Sequence, residues 1–340
     1  MSYEKSEMGL YAPISKYSTT RHFLILIKNI FMKESLIRVE NLSHRYNIQW
    51  AVKDVSFEIP SMGIYGLLGS NGAGKSTTMN IMSGVLKQTQ GNVYIKGINL
   101  SKDPIEAKKQ IGFLPQEPPL YLDTTVEEYL INCAYLRRIE SKAVKRAVES
   151  VMEKCSILHF RKRLLRNLSG GYQQRVGIAQ AILHQPAFII LDEPTNGLDP
   201  NQIIEIRKLI KEIAKDRAVL LSTHMLTEVQ AICDYIYMIE HGKMVFSGKI
   251  EEFDSYLTPN TIFVRLLEMP SAEILKQNLE GLEHVEELGG PNYRLTFSNL
   301  SGATERIVMS SVKNNWRLDE VRAEKNSMND VFSALSKKEN

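Results

Sequence analysis

Short apolar runs and longer stretches with helical spacing alternate through residues 34–250. Residues 64–68 form such a run and end at Gly69. Phe188–Leu191 ends at Asp192-Glu193, and residues 219–222 end at Thr223-His224. Runs apolar on both faces have the character of strands buried inside a parallel sheet, and such a sheet takes its ligands at the carboxyl ends of its strands. Polar residues at those ends therefore mark the edge where chemistry is expected. Residues 36–40 alternate like a half-buried strand. Residues 235–239 and 244–246, joined through His241-Gly242, read as a hairpin. Residues 126–168 are helical in pattern and rich in charge, with Thr124-Thr125 as a cap, so a helical insertion spanning about 117–178 is predicted in an α/β core. The pattern changes again over residues 251–340. Two strand-like runs, 262–266 and 293–297, flank a helix near Ala272–Asn278, which predicts a small α+β appendage.

Length and charge narrow the reading. A chain of 340 residues has room for about two domains. The net charge is +3, and residues 1–33 carry five basic against two acidic residues, so the remainder is balanced. That balance argues against a basic nucleic-acid binder. Residues 251–340 hold 10 basic and 15 acidic residues, a net of −5. No apolar run approaches the roughly 20 residues of a spanning helix. Three widely spaced cysteines, Cys133, Cys155 and Cys233, are expected to be free thiols. Residues 1–33 show no period. Either translation starts at Met32, or the segment is a leader that touches a partner or membrane.

The first chemical motif comes directly after the run 64–68. Gly69, Ser70, Asn71, Gly72, Ala73, Gly74, Lys75, Ser76 and Thr77 fit GxxxxGK[ST], between a strand and a helical stretch. Glycines let successive backbone N–H groups turn inward around phosphate oxygens, and the helix N-terminus adds partial positive charge. Lys75 is expected at the terminal phosphates and the Ser76 hydroxyl at Mg²⁺. Asp192 and Glu193 form the second cluster. An Asp at a strand end beside a phosphate loop is placed to hold Mg²⁺, and the adjacent Glu is a candidate general base.

Between these two sites, Leu168, Ser169, Gly170, Gly171, Tyr172 and Gln173 resemble the LSGGQ signature of the ABC ATPase family, with Tyr172 in place of Gln. Gln116 resembles the family's Q-loop, Asp199 in Gly197-Leu198-Asp199-Pro200 its D-loop, and His224 its switch histidine. Tyr46 matches the aromatic that stacks on adenine. Six motifs in one order cover residues 36–250.

The resemblance implies a P-loop NTPase fold, with ATP and Mg²⁺ as ligands, and a head-to-tail dimer of two copies. Ser169 and Gly171 would then act in trans on the partner's γ-phosphate, with Gly170, Tyr172 and Gln173 in the same signature, and Asp199 would touch the neighbouring site. Glu193, His224 and Gln116 would be catalytic. Ser76, Gln116 and Asp192 would hold the metal. A transporter motor of this kind works peripherally at the cytoplasmic face of the membrane through separate permease subunits, docked in a groove formed by residues 115–121 and the insertion 124–168, with Leu120 and Tyr121 as contacts. Residues 328–332 resemble the LEDVF ending of ABC-2 exporter ATPases, with Met for Leu and Asn for Glu. The alternative is a soluble ABC-fold ATPase acting on nucleic acid or the ribosome.

Overall fold

The structure is a computed structural model and describes residues 35–254 and 261–324. The resemblance at 328–332 and the segment 1–33 lie outside the described residues.

Strands β1 (Ile37–Tyr46) and β2 (Gln49–Ile59) form a hairpin. The chain then runs through β3 (Gly63–Leu68), α1 (Lys75–Met82), β4 (Gln90–Ile95), β5 (Ile98–Asn99), α2 (Pro104–Lys109) and β6 (Ile111–Leu114). The helical block holds α3 (Val126–Leu136), α4 (Ser141–Lys154) and α5 (Gly170–Ile182). The core resumes with β7 (Phe188–Leu191), α6 (Pro200–Ala214), β8 (Ala218–Thr223), α7 (Leu226–Ile232), β9 (Tyr235–Glu240), β10 (Lys243–Lys249) and α8 (Ile250–Asp254).

The central sheet has six strands in the order β10-β9-β3-β8-β7-β6. All neighbours are parallel except β10, which pairs antiparallel with β9. Its strands are apolar throughout because each face is covered. Tyr65, Leu67, Ile190, Leu220 and Tyr237 pack towards the antiparallel sheet β2-β1-β4-β5, against Ile37, Val39 and Phe57. The alternating residues Ile64, Leu68, Ile189, Leu191 and Leu221 pack on the other face, with Val176 and Ile210 from the helices. The turn between β9 and β10 has positive φ at both His241 and Gly242, the backbone that joins two-residue hairpins without splaying the strands.

Thr125 begins α3 with a capping box. Its hydroxyl accepts the Glu128 N–H at 3.3 Å, and the Glu128 carboxylate accepts the Thr125 N–H at 2.8 Å. This fixes the first turn beneath Tyr129 and Leu130, which are buried with Val148, Met152 and Leu165. Thr125→Ala is expected to lower stability by about 1 kcal/mol, read as a lower denaturation midpoint. An unchanged midpoint would show that the cap contributes nothing.

Residues 261–324 form a βαββαβ unit: β11 (Thr261–Leu266), α9 (Ala272–Asn278), β12 (Leu282–Glu287), β13 (Asn292–Phe297), α10 (Ala303–Lys313) and β14 (Leu318–Ala323). Its sheet is antiparallel, in the order β12-β13-β11-β14, the split-βαβ arrangement. Val264, Leu275, Tyr293, Phe297, Ile307 and Trp316 build a core of its own. The appendage is α+β, as expected, with β12, β14 and α10 added to the elements read from sequence.

Candidate functional site

Parallel strands aim their carboxyl ends at one edge, and the loops leaving those ends build the site. After β3 comes the phosphate loop and then α1. Gly74 is the N-cap of α1, at φ 109°, and a Cβ there would lie 2.6 Å from the Ala51 carbonyl oxygen. Only glycine fits this combination of φ and contact. The buried Lys75 ammonium donates to the carbonyls of Gly69 and Ser70, both at 3.0 Å, and lies 3.9 Å from Glu193. Burial pulls the Lys75 pKa below the ordinary lysine value, while the carboxylates of Glu193, Asp192 and Glu240 pull it back up.

After β7 come the two carboxylates. Consecutive strand residues point to opposite faces, but Glu193 has φ 50°, a left-handed backbone that turns its side chain to the same edge as Asp192. Ser222, on β8, holds both. Its hydroxyl donates to Asp192 at 2.5 Å and accepts the Glu193 N–H at 2.8 Å. Asp192 is also 3.4 Å from the Ser76 hydroxyl. The Glu193 carboxylate faces His224 Nδ1 at 2.9 Å. His224 lies just past the end of β8, and Gln116 just past the end of β6.

A cavity of 540 Å³ joins these parts. Asn71, Gly72, Gly74, Lys75, Ser76 and Thr77 line it, together with Gln116, Glu193 and His224. A cation-bearing loop, a helix N-terminus, a carboxylate and an imidazole facing one polar space can bind an anion and move a proton beside it. The hydroxyl of Ser76, the carboxylate of Asp192 and the amide oxygen of Gln116 are hard oxygen donors, and this set fits Mg²⁺.

Other expected site residues stand apart from this cavity. Tyr46 ends β1 on an exposed hairpin, its ring edge-on to His44 at 4.7 Å, and does not line the cavity. Ser169 is the exposed N-cap of α5, and its side chain makes no capping bond. A Cβ on Gly170 would meet open space, whereas one on Gly171 would lie 2.6 Å from the Gln202 side chain. Tyr172 packs edge-on to Phe160 at 4.6 Å, and Gln173 donates to the Leu165 carbonyl at 3.0 Å. Both side chains are thus engaged within their own chain, leaving Ser169 and Gly170 as the open part of the signature. Asp199 caps α6, accepting the N–H groups of Asn201 and Gln202 with one oxygen. Leu120 is partly buried against the core, while Tyr121 is exposed.

Sequence reasoning missed Ser222, although a serine near the end of an apolar run was a visible signal. It also missed Ala51 and Asn196, which line the cavity. Glu228, buried on α7, binds Thr195 at 2.5 Å and Arg207 at 3.0 Å, tying the segment after Glu193 to the helix after His224.

A phosphate loop, an Asp-Glu pair and a histidine on adjacent parallel strand ends define a P-loop nucleoside triphosphatase. Residues 52–196 match the family described as ABC transporter. The chain is 38% identical over 213 residues to the bacitracin transport ATP-binding protein BcrA of Bacillus licheniformis, covering 62% of this chain and 69% of that protein. It is 31% identical over 278 residues to the linearmycin resistance ATP-binding protein LnrL of Bacillus subtilis, covering 81% and 88%. Among solved structures, it resembles the dimeric post-hydrolysis state of the ATP-binding cassette MJ0796 bound to ADP and Pi. That match has a TM-score of 0.57 at 26% identity and covers 63% of this chain and 98% of that one. The chain belongs to the ABC transporter ATP-binding proteins and is an ATP-hydrolysing ATPase of that family.

Proposed function

We propose that this chain is the motor subunit of an exporter and that ATP hydrolysis in a pair of its copies drives substrate out through separate membrane subunits. The observation that carries this reading is an incomplete site. Lys75, Ser76, Asp192, Glu193 and His224 converge on one edge, while Ser169 and Gly170 present an uncapped helix N-terminus elsewhere on the chain. A second copy facing head to tail would bring that N-terminus to the γ-phosphate, with Asp199 alongside, as the dimeric MJ0796 cassette suggests. The names of BcrA and LnrL support the export direction.

In this reading the phosphate loop and Lys75 bind the phosphates, and Tyr46 stacks on the adenine. Ser76, Asp192 and Gln116 hold Mg²⁺, which offsets phosphate charge when bound. Glu193 accepts the proton of the water that attacks the γ-phosphorus as the bond to the β-phosphate oxygen breaks and ADP leaves. His224 orients Glu193 through the 2.9 Å contact. No described helix is long and apolar enough to cross a membrane. In this reading the chain acts peripherally, on the cytoplasmic side, with Tyr121 exposed on the segment expected to dock the permease.

Affinity purification from detergent-solubilised membranes tests the proposal. The tagged full chain is expected to bring down an integral membrane protein, and the complex to hydrolyse ATP. Recovery without a membrane protein, together with stimulation of the ATPase by nucleic acid or ribosomes, would overturn it.

A further inference from the structure

The edge that carries the site has a fifth parallel strand. β9 lies beside β3 and ends at Glu240, a buried carboxylate outside every motif found in the sequence. Glu240 accepts the Ser70 N–H at 3.0 Å and also the Ser70 hydroxyl. The turn after β9 adds two further links. The Gly242 N–H donates to the Ala73 carbonyl at 2.9 Å, and its own carbonyl accepts the Lys53 N–H at 2.8 Å. Gly69 lies so close to this strand that a Cβ would sit 2.2 Å from the Ile239 carbonyl oxygen. The phosphate loop thus rests at positions 69, 70 and 73 on the end of β9 and its turn.

The chemistry of Glu240 acts on the loop in two ways. First, both Ser70 donors are committed to it, so the start of the loop has its shape before any nucleotide arrives. Second, Glu240 adds a third carboxylate to Asp192 and Glu193, and its field reaches Lys75. A glutamine could take the same N–H bond with its amide oxygen and carries no charge. The backbone contacts of Gly69 and Gly242 would remain. Negative charge beneath an anion site is therefore not required for the loop's shape, and it opposes phosphate binding. A motor must release ADP in every cycle, and a charge that weakens the hold on product serves that need.

We propose that Glu240 is a positioning residue for the phosphate loop and that its charge limits how tightly the site retains ADP. The inference rests on the reading of residues 69–77 as the ATP site.

Binding and release of fluorescently labelled ADP by the full chain test it, with steady-state ATPase measured beside them. Glu240→Gln is expected to hold ADP roughly three- to tenfold more tightly, through slower release, with a lower KM for ATP and no gain in kcat. Glu240→Asp keeps the charge and is expected to release ADP at close to the native rate. Glu240→Ala removes the charge and also the acceptor for both Ser70 donors, and is expected to bind ADP about tenfold more weakly than Glu240→Gln. Unchanged or faster ADP release in Glu240→Gln would overturn the role of the charge, as would slow release in Glu240→Asp. Affinity in Glu240→Ala equal to that of Glu240→Gln would overturn the positioning role. Failure of the unsubstituted chain to bind labelled ADP would instead defeat the ATP-site reading itself. Binding with no response to any Glu240 variant defeats this inference alone.

Discussion

Glu193→Gln is expected to bind ATP with near-native affinity and to hydrolyse it at least about a hundredfold more slowly, the low end for loss of a positioned general base. The substitution is nearly isosteric. An amide oxygen can still face His224 Nδ1, now 2.9 Å from the carboxylate, and the backbone N–H still donates to Ser222. The left-handed backbone at φ 50° is no harder for Gln than for Glu. Binding is spared because the phosphate loop, Ser76 and Asp192 are untouched, and because the change removes a negative charge 3.9 Å from the Lys75 ammonium. The substitution removes the oxygen basic enough to take the proton of water. If the paired-site reading holds, ATP that cannot be cleaved keeps two copies together, so light scattering after gel filtration with ATP should report twice the mass of the chain. Single-turnover and steady-state hydrolysis check the first part. Turnover near the native rate would remove Glu193 as the base.

The parts of this site that were legible in the sequence share one property. Each sits next to a strong local pattern. Gly69–Thr77 carries its own spacing, and Asp192, Glu193 and His224 each end an apolar run. The parts that were not legible depend on pairing between distant segments. Glu240 touches a residue 170 positions earlier, and residues 235–239 read as one arm of a hairpin, with no sign that β9 also lies parallel to β3. Ser222 matters because β8 lies beside β7, which sequence order does not give. The antiparallel sheet was read only at residues 36–40. Register shifts between Val39 and His44 break the alternation of β1, and β2 carries Lys53 and Asp54 on its exposed side. In the appendage, β12 and β14 escaped because they are edge strands. Their sequences, LEHVEE and LDEVRA, are half charged, as edges that avoid pairing with other chains tend to be.

Lys75→Ala is expected to weaken ATP binding by roughly two orders of magnitude or more, and hydrolysis is lost with it. The magnitude reflects the charges left behind by the substitution. Lys75 is buried, and Glu193, Asp192 and Glu240 all act on it. Truncation leaves those carboxylates facing an anionic ligand without their cation, and breaking a buried charge pair on one side costs about 2–5 kcal/mol. Desolvation adds to the effect. A lysine whose pKa is already lowered by burial regains more from a phosphate than an exposed one would. The fold should survive, because Lys75 is the first residue of α1 and the cap geometry belongs to Gly74. Lys75→Met keeps the aliphatic stem and separates loss of charge from loss of packing. Titration calorimetry with ATP measures both variants. Unchanged affinity in Lys75→Met would mean that the loop's N–H groups and the helix end bind the phosphates by themselves. Loss in both variants, beside retained binding in Glu193→Gln, assigns ligand capture to the end of β3 and proton transfer to the end of β7.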